Sequence, residues 1–143
     1  WEQHRYRTSS AGEWQRFHGD QSAEYEVFAL ASRLAGREAA CLSCSFGGPQ
    51  IMGFNHALIG YRSAREMFRA FGRSERWQVC GFFDFCHANN LIGNLAQQDW
   101  HGFATVYNGP GNADTYAAKI AEAYAAAAEL LKAISPEPAV SAS

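Results

Sequence analysis

From Ala113 to Ile134 the chain runs without glycine or proline, and Tyr116, Ile120, Tyr124, Ala127, Leu131 and Ile134 recur along it at helical spacing. An alanine-rich run of this kind has high intrinsic helix propensity and one apolar face that must be covered. It is expected to pack across other helices, which constrains the chain toward a mainly α fold.

The remaining sequence supplies those partners. From about Ser22, Val27, Phe28, Ala31 and Leu34 trace a short amphipathic helix closed by Gly36, and Arg37 to Leu42 adds another turn or two. Ser63-x-x-Glu66 reads as a capping box ahead of Met67, Phe68 and Phe71, with Gly72 at the end. Ser74 opens a helix whose apolar residues spread over a broad arc, Trp77, Cys80, Phe83 and His87 on one flank and Val79, Phe82 and Cys86 on the next. That breadth predicts a central, buried helix. Asp99 caps Trp100 to Tyr107, and Asn108-Gly109-Pro110-Gly111 stops it. Gly47-Gly48-Pro49 breaks regularity and reads as a loop entering a helix, while Trp1 to Gly19 has no clear period. Residues 1–134 are expected to form one domain, and 135–143 a proline-bearing tail that suits a linker or a frayed end.

Composition removes several function classes. The net charge of −2, with both signs interleaved, provides no footprint for nucleic acid or an anionic membrane. No stretch approaches the roughly 18 to 20 apolar residues of a membrane span, and the start lacks the order of a signal peptide. The chain opens on Trp1 rather than methionine, which agrees with processing. Cys41-x-x-Cys44 has half of a zinc-knuckle spacing, but Cys80 and Cys86 do not complete it, so buried free thiols are expected over a zinc or redox centre. His4, His18, His87 and His101 lack metal-ligand spacing, so no metal is expected. Ser43-Cys44-Ser45 near His56 lacks an orienting acid and is discounted as a nucleophile.

The run Ser45-Phe46-Gly47-Gly48-Pro49-Gln50-Ile51-Met52-Gly53-Phe54-Asn55-His56, then Gly60-Tyr61, is joined by Asp99-Trp100, Phe103-Ala104, Tyr107-Asn108-Gly109-Pro110-Gly111, Tyr116, Lys119 and Ala123-Tyr124. Together these resemble the N-acetylmuramidase domain of phage endolysins and bacterial cell-wall hydrolases over nearly the whole chain. Trp1-Glu2-Gln3-His4 resembles that family's aromatic-Glu-x-His element. The helix ending in Glu-Ser that precedes this element in the family, and holds its general acid, has no counterpart here, so the chain is expected to begin inside the family's domain. The resemblance implies a lysozyme-like helical fold whose irregular or short-β front forms one wall of a sugar cleft.

Glycoside hydrolysis needs a protonated carboxyl at the leaving oxygen and usually a second carboxylate. The resemblance assigns that second role to Glu2, whose plain alternative is an exposed terminal glutamate. It also implies that the Tyr107 phenol orients the catalytic carboxyl and that Asn108 reaches a substrate acetamido group. The plainer account is that Asn108-Gly109 simply ends a helix, since Asn and Gly tolerate left-handed backbone. Gln50 has an amide that can both donate to and accept from a sugar. Phe46 keeps a stacking face where the family usually has Trp or Tyr. Ser45 is expected to tie its loop by side-chain to backbone bonds, Asn55 to be a helix cap or substrate contact, and His56 to be a surface or structural imidazole.

The function so implied is a cofactor-free peptidoglycan hydrolase cleaving the β-1,4 bond between N-acetylmuramic acid and N-acetylglucosamine, acting on the cell wall from the periplasm or outside. Its expected partner is the glycan strand, with no nucleic acid, no membrane and a monomeric state; native fusion to a wall-binding domain is compatible with the tail. Two rivals use the same framework: an inactive peptidoglycan-binding module and a lytic transglycosylase.

Overall fold

The computed structural model describes residues 5–16 and 20–134, and the chain divides into two compact units between Ala88 and Asn89. Among the described residues there are seven α-helices and only two-residue strands, the mainly α architecture that the helical spacings predict. No helix among them is long and apolar enough to cross a membrane.

The first unit opens with strands β1 (Arg5–Tyr6) and β2 (Gln15–Arg16), paired antiparallel with Arg5 opposite Arg16. Buried Tyr6 reaches helix α1 (Gln21–Ala35), where its hydroxyl donates to Glu26 at 3.2 Å. Asp20 caps α1 by accepting the Ala23 N–H at 2.8 Å, and Gly36 ends it at φ 85°, a region open to glycine at no steric cost. The face turned inward centres on Leu30, and Leu34 of the anticipated stripe is exposed. Helix α2 (Arg37–Ser43) follows directly.

The Gly47-Gly48-Pro49 break is the tip of a β-hairpin, not a loop entering a helix. Strands β3 (Ser45–Phe46) and β4 (Ile51–Met52) pair antiparallel, Ser45 opposite Met52 and Phe46 opposite Ile51. Two-residue strands are too short to show alternation, so the sequence has no period to reveal them. A 3-10 turn, Gly53–Asn55, leaves the hairpin so close to α2 that a Cβ on Gly53 would collide with the Cys41 carbonyl oxygen.

Helix α3 (Ala64–Phe71) starts at Ser63, whose hydroxyl accepts the Glu66 N–H at 3.1 Å. The reciprocal half of the capping box is displaced by one residue: the Glu66 carboxylate accepts the N–H of Arg62 at 2.9 Å. Ile51, Ile59, Met67 and Phe71 form the core, with Phe46, Tyr61 and Phe85 packed against it. Helix α4 (Glu75–Ala88) is not the buried centre that its broad apolar arc predicts. It buries only Gly81 and Cys86, while Trp77, Val79 and Phe83 are about half exposed, at 48%, 55% and 52%. Apolar residues all round a helix specify no preferred face. The contact falls on Gly81, where a Cβ would meet the Phe71 ring.

In the second unit α5 (Ile92–Gln97), which the sequence reading did not anticipate, leads into α6 (Trp100–Tyr107). Asp99 caps α6 as expected, accepting the Gly102 N–H at 3.0 Å and the Asn94 amide at 2.7 Å. Helix α7 (Ala113–Ile134) packs on α6 through its first half, with Trp100 and Tyr124 rings 5.2 Å apart. Its stripe is only partly covered: Leu131 and Ile134 stay exposed at 64% and 73%. Cys41 and Cys86 are buried thiols and Cys44 is half-buried, but Cys80 is exposed, against the expectation of burial.

Candidate functional site

The hairpin between β3 and β4 is built around the Gln50 side chain. Its Oε1 accepts the Ser45 hydroxyl at 2.7 Å, and its Nε2 donates to the Gly47 carbonyl at 2.8 Å. The Ser45 bond is thus to a side chain and not to backbone as anticipated. Gln50 itself takes φ 55° and Gly47 φ 72°. A left-handed glutamine costs about 1 kcal/mol or more relative to ordinary backbone, and residues held so are found disproportionately at functional sites. The two internal bonds leave the exposed amide one N–H and one oxygen lone pair for a ligand.

The tip is held from the opposite side by α4. Gln78 Oε1 accepts the Gly48 N–H at 2.8 Å, while its Nε2 donates to the Phe71 carbonyl at 2.9 Å. Gly47 lies so near that a Cβ there would come within 2.8 Å of the Gln78 oxygen. Beneath the hairpin three rings meet: Phe28 stacks on Phe68 at 5.1 Å, and Phe46 sets its edge to Phe68 at 5.1 Å. Phe46 is therefore a packing residue as well as a wall.

These parts enclose a cavity of about 350 Å³, with Ser45, Phe46 and Gln50 on the hairpin side and Glu24, Tyr25 and Phe28 on the α1 side. Sequence reasoning named the first set and missed the second, together with Phe68 and Gln78. Glu24 and Phe28 stand one helical turn apart, and that spacing was the available signal for a carboxylate beside the hairpin. Burial, with the Glu24 carboxylate second, pushes the Cys44 thiol above its ordinary value. The lining combines a carboxylate, amides, a hydroxyl and aromatic faces, a set suited to a hydroxyl- and amide-bearing ligand.

The other anticipated residues lie on other elements. Asn55 ends the 3-10 turn half-buried, and is not a helix cap. Of the two readings of His56, surface or structural, the structural one holds, its Nδ1 lying 2.9 Å from the Tyr61 carbonyl oxygen. Tyr107 and Asn108 belong to the second unit, at the end of α6, both half-buried. The Tyr107 ring stacks on Phe103 at 5.1 Å. Asn108 has right-handed backbone, φ −105° and ψ −11°, and the positive φ that ends the segment falls on Gly109. Tolerance of left-handed backbone therefore does not account for an asparagine at 108. Glu2, with His4 and His18, lies outside the described residues. Among those described, no group of three or more His, Cys, Asp or Glu side chains is placed to hold a metal ion.

Comparison with known proteins gives the family and the fold. The family model described as N-acetylmuramidase matches residues 1–128. Among solved structures the chain is similar to the Burkholderia AP3 phage endolysin, with 30% identity and a TM-score of 0.68 over 83% of this chain. It spans 46% of that endolysin's length. No curated protein matches the chain.

Proposed function

The chain belongs to the N-acetylmuramidase family, and from that membership we propose that it is the glycan-cleaving domain of a peptidoglycan hydrolase, acting on the bacterial cell wall. The bond cleaved is the β-1,4 link between N-acetylmuramic acid and N-acetylglucosamine, and carboxyl groups carry the chemistry without a cofactor. The observation that supports this best is the Gln50 amide, fixed by Ser45 and Gly47 at the rim of a cavity that also contains Glu24.

Protonation of the leaving oxygen needs one carboxyl group, and stabilisation of the oxocarbenium-like centre usually uses a second. Glu2 supplies the second of them. Gln50 and Asn108 bind hydroxyl and acetamido groups, the Tyr107 phenol orients the acid, and Phe46 presents an apolar face to the sugar. Ser45 sets the Gln50 amide, and Asn55 contacts the substrate.

The test is reducing-end release from purified peptidoglycan by the native protein and its Glu2→Gln variant. Release that falls about a hundredfold or more in the variant supports the reading, that being the scale of acid–base catalysis by one group. Wall binding with no release would make the domain a non-catalytic glycan module. A 1,6-anhydro product would make it a lytic transglycosylase.

A further inference from the structure

Next to the glycan cavity, and sharing Tyr25, Phe28 and Phe68 with it, lies a second hollow whose remaining polar lining is Ser32, Arg33 and Arg37. We propose that this hollow holds a carboxylate of the peptide stem borne by muramic acid, so that the site selects peptide-substituted glycan over bare glycan; this rests on the muramidase reading above.

The two cavities differ in chemistry along one helix. Toward the start of α1 the lining is amide, hydroxyl and carboxylate; toward its end it is the Arg33 guanidinium, joined by that of Arg37 from the first position of α2. Arg37 sits 5.6 Å from the centre of Phe28 and 5.5 Å from that of Phe68, a cation–π arrangement that seats the guanidinium directly over rings lining both cavities. Among the described residues, neither Arg33 nor Arg37 has a carboxylate within salt-bridge distance. The Ser32 hydroxyl has no hydrogen-bond partner among them either. Two uncompensated cations and an unused hydroxyl on an apolar floor match an anionic group carried on an organic chain. Guanidinium groups also pair carboxylates with directional, two-bonded geometry.

Peptidoglycan offers such a group at the required place. The stem peptide branches from the lactyl ether of muramic acid, to one side of the glycan axis, and carries free carboxylates. The two hollows adjoin through Tyr25, Phe28 and Phe68, so a muramic acid seated at Gln50 with its lactyl side turned to these rings brings its branch to Arg33 and Arg37.

The deciding experiment measures equilibrium binding of a soluble disaccharide carrying its stem peptide, and of the same disaccharide after amidase removal of the peptide, to the wild type and to Arg33→Gln/Arg37→Gln. The wild type is expected to prefer the peptide-bearing form by about three- to tenfold, the range that one or two partly exposed ion pairs supply. The preference should shrink toward unity in the double variant and at high salt. Since Arg37 packs on Phe28 and Phe68, Arg33→Gln alone serves as the variant least able to disturb the fold, and should lose part of the preference. Equal wild-type binding of both ligands overturns the proposal while leaving the muramidase reading intact. So does a preference that persists in the double variant. Stronger binding of the stripped sugar would assign the hollow to the freed lactyl carboxylate and overturn it too. Failure to bind either form, together with absence of reducing-end release, would remove both readings.

Discussion

Gln78 Oε1 accepts the backbone N–H of Gly48 at 2.8 Å, linking α4 to the tip of the β3–β4 hairpin across thirty positions of sequence. Its other amide atom is fixed to the Phe71 carbonyl at 2.9 Å, so the tip is anchored to the end of α3 through one side chain.

Removing that anchor has a graded consequence. Gln78→Leu should lower stability by about 1–2 kcal/mol, since two bonds of ordinary net value are lost. Gln78→Glu keeps the acceptor for Gly48 but loses the donor to Phe71, and should cost less. Urea midpoints measure both. A Gln78→Leu midpoint equal to the wild type would show that the bonds do not fix the tip.

Two glycines should respond in opposite directions to the same substitution. Gly53→Ala drives a Cβ into the Cys41 carbonyl and is expected to cost about 3 kcal/mol, at the upper end of overpacking penalties. Gly93→Ala, within α5 and with nothing near its added carbon, should stabilise by about 1 kcal/mol through helix propensity. Thermal unfolding of the pair checks both signs.

Asp99 makes part of the stability pH-dependent. The Gly102 N–H, and then the Asn94 amide, hold its carboxyl below the ordinary value. A depressed folded pKa contributes stability that is present above the unfolded pKa, about 4, and is lost as pH falls through the folded value. Asp99→Asn should therefore reduce stability near neutrality and flatten the fall in melting temperature below about pH 4. An unchanged acid limb would refute the assignment.

The four thiols should separate by accessibility. Cys80 is exposed and should react first with a thiol reagent; Cys44 should lag, and Cys41 and Cys86 should wait for unfolding. Burial pushes Cys86 up to about 11, so little thiolate is present at ordinary pH even where the reagent can reach it. Mass spectrometry of labelled peptides over time gives the order. Early modification of Cys86 would contradict the packing of α4.

The helices were legible where a cap and a period coincide. Asp99, Ser63 and Gly36 each mark a boundary through a local bond or a backbone preference that depends on neighbouring residues alone. The face of α4 was not legible, because its apolar residues surround the axis and the choice was made by the space beside Phe71. The hairpin escaped for a similar reason: Gly47 and Gly48 announce a turn, but pairing Phe46 with Ile51 is a contact that no spacing rule reports over two residues. At the site, Gln50 and Ser45 could be found as a motif. Glu24 had only its one-turn spacing from Phe28 as a signal, a weak one, since a glutamate on an exposed helical turn looks like any solvated charge.

The segregation of the cavity lining onto a hairpin side and a helix side bears on how such a domain can diversify. Ser45, Gln50 and Gln78 hold the tip through their side chains, and exchanging any of these breaks a bond that shapes it, while Gly47 is fixed by its positive φ and by the nearness of the Gln78 oxygen. Gln21, Tyr25 and Arg33 stand on the surface of α1, spaced so that they overlook the cavities without filling the core. Single replacements on one helix can thus change the wall of the cavities while the hairpin that forms their other side keeps its shape.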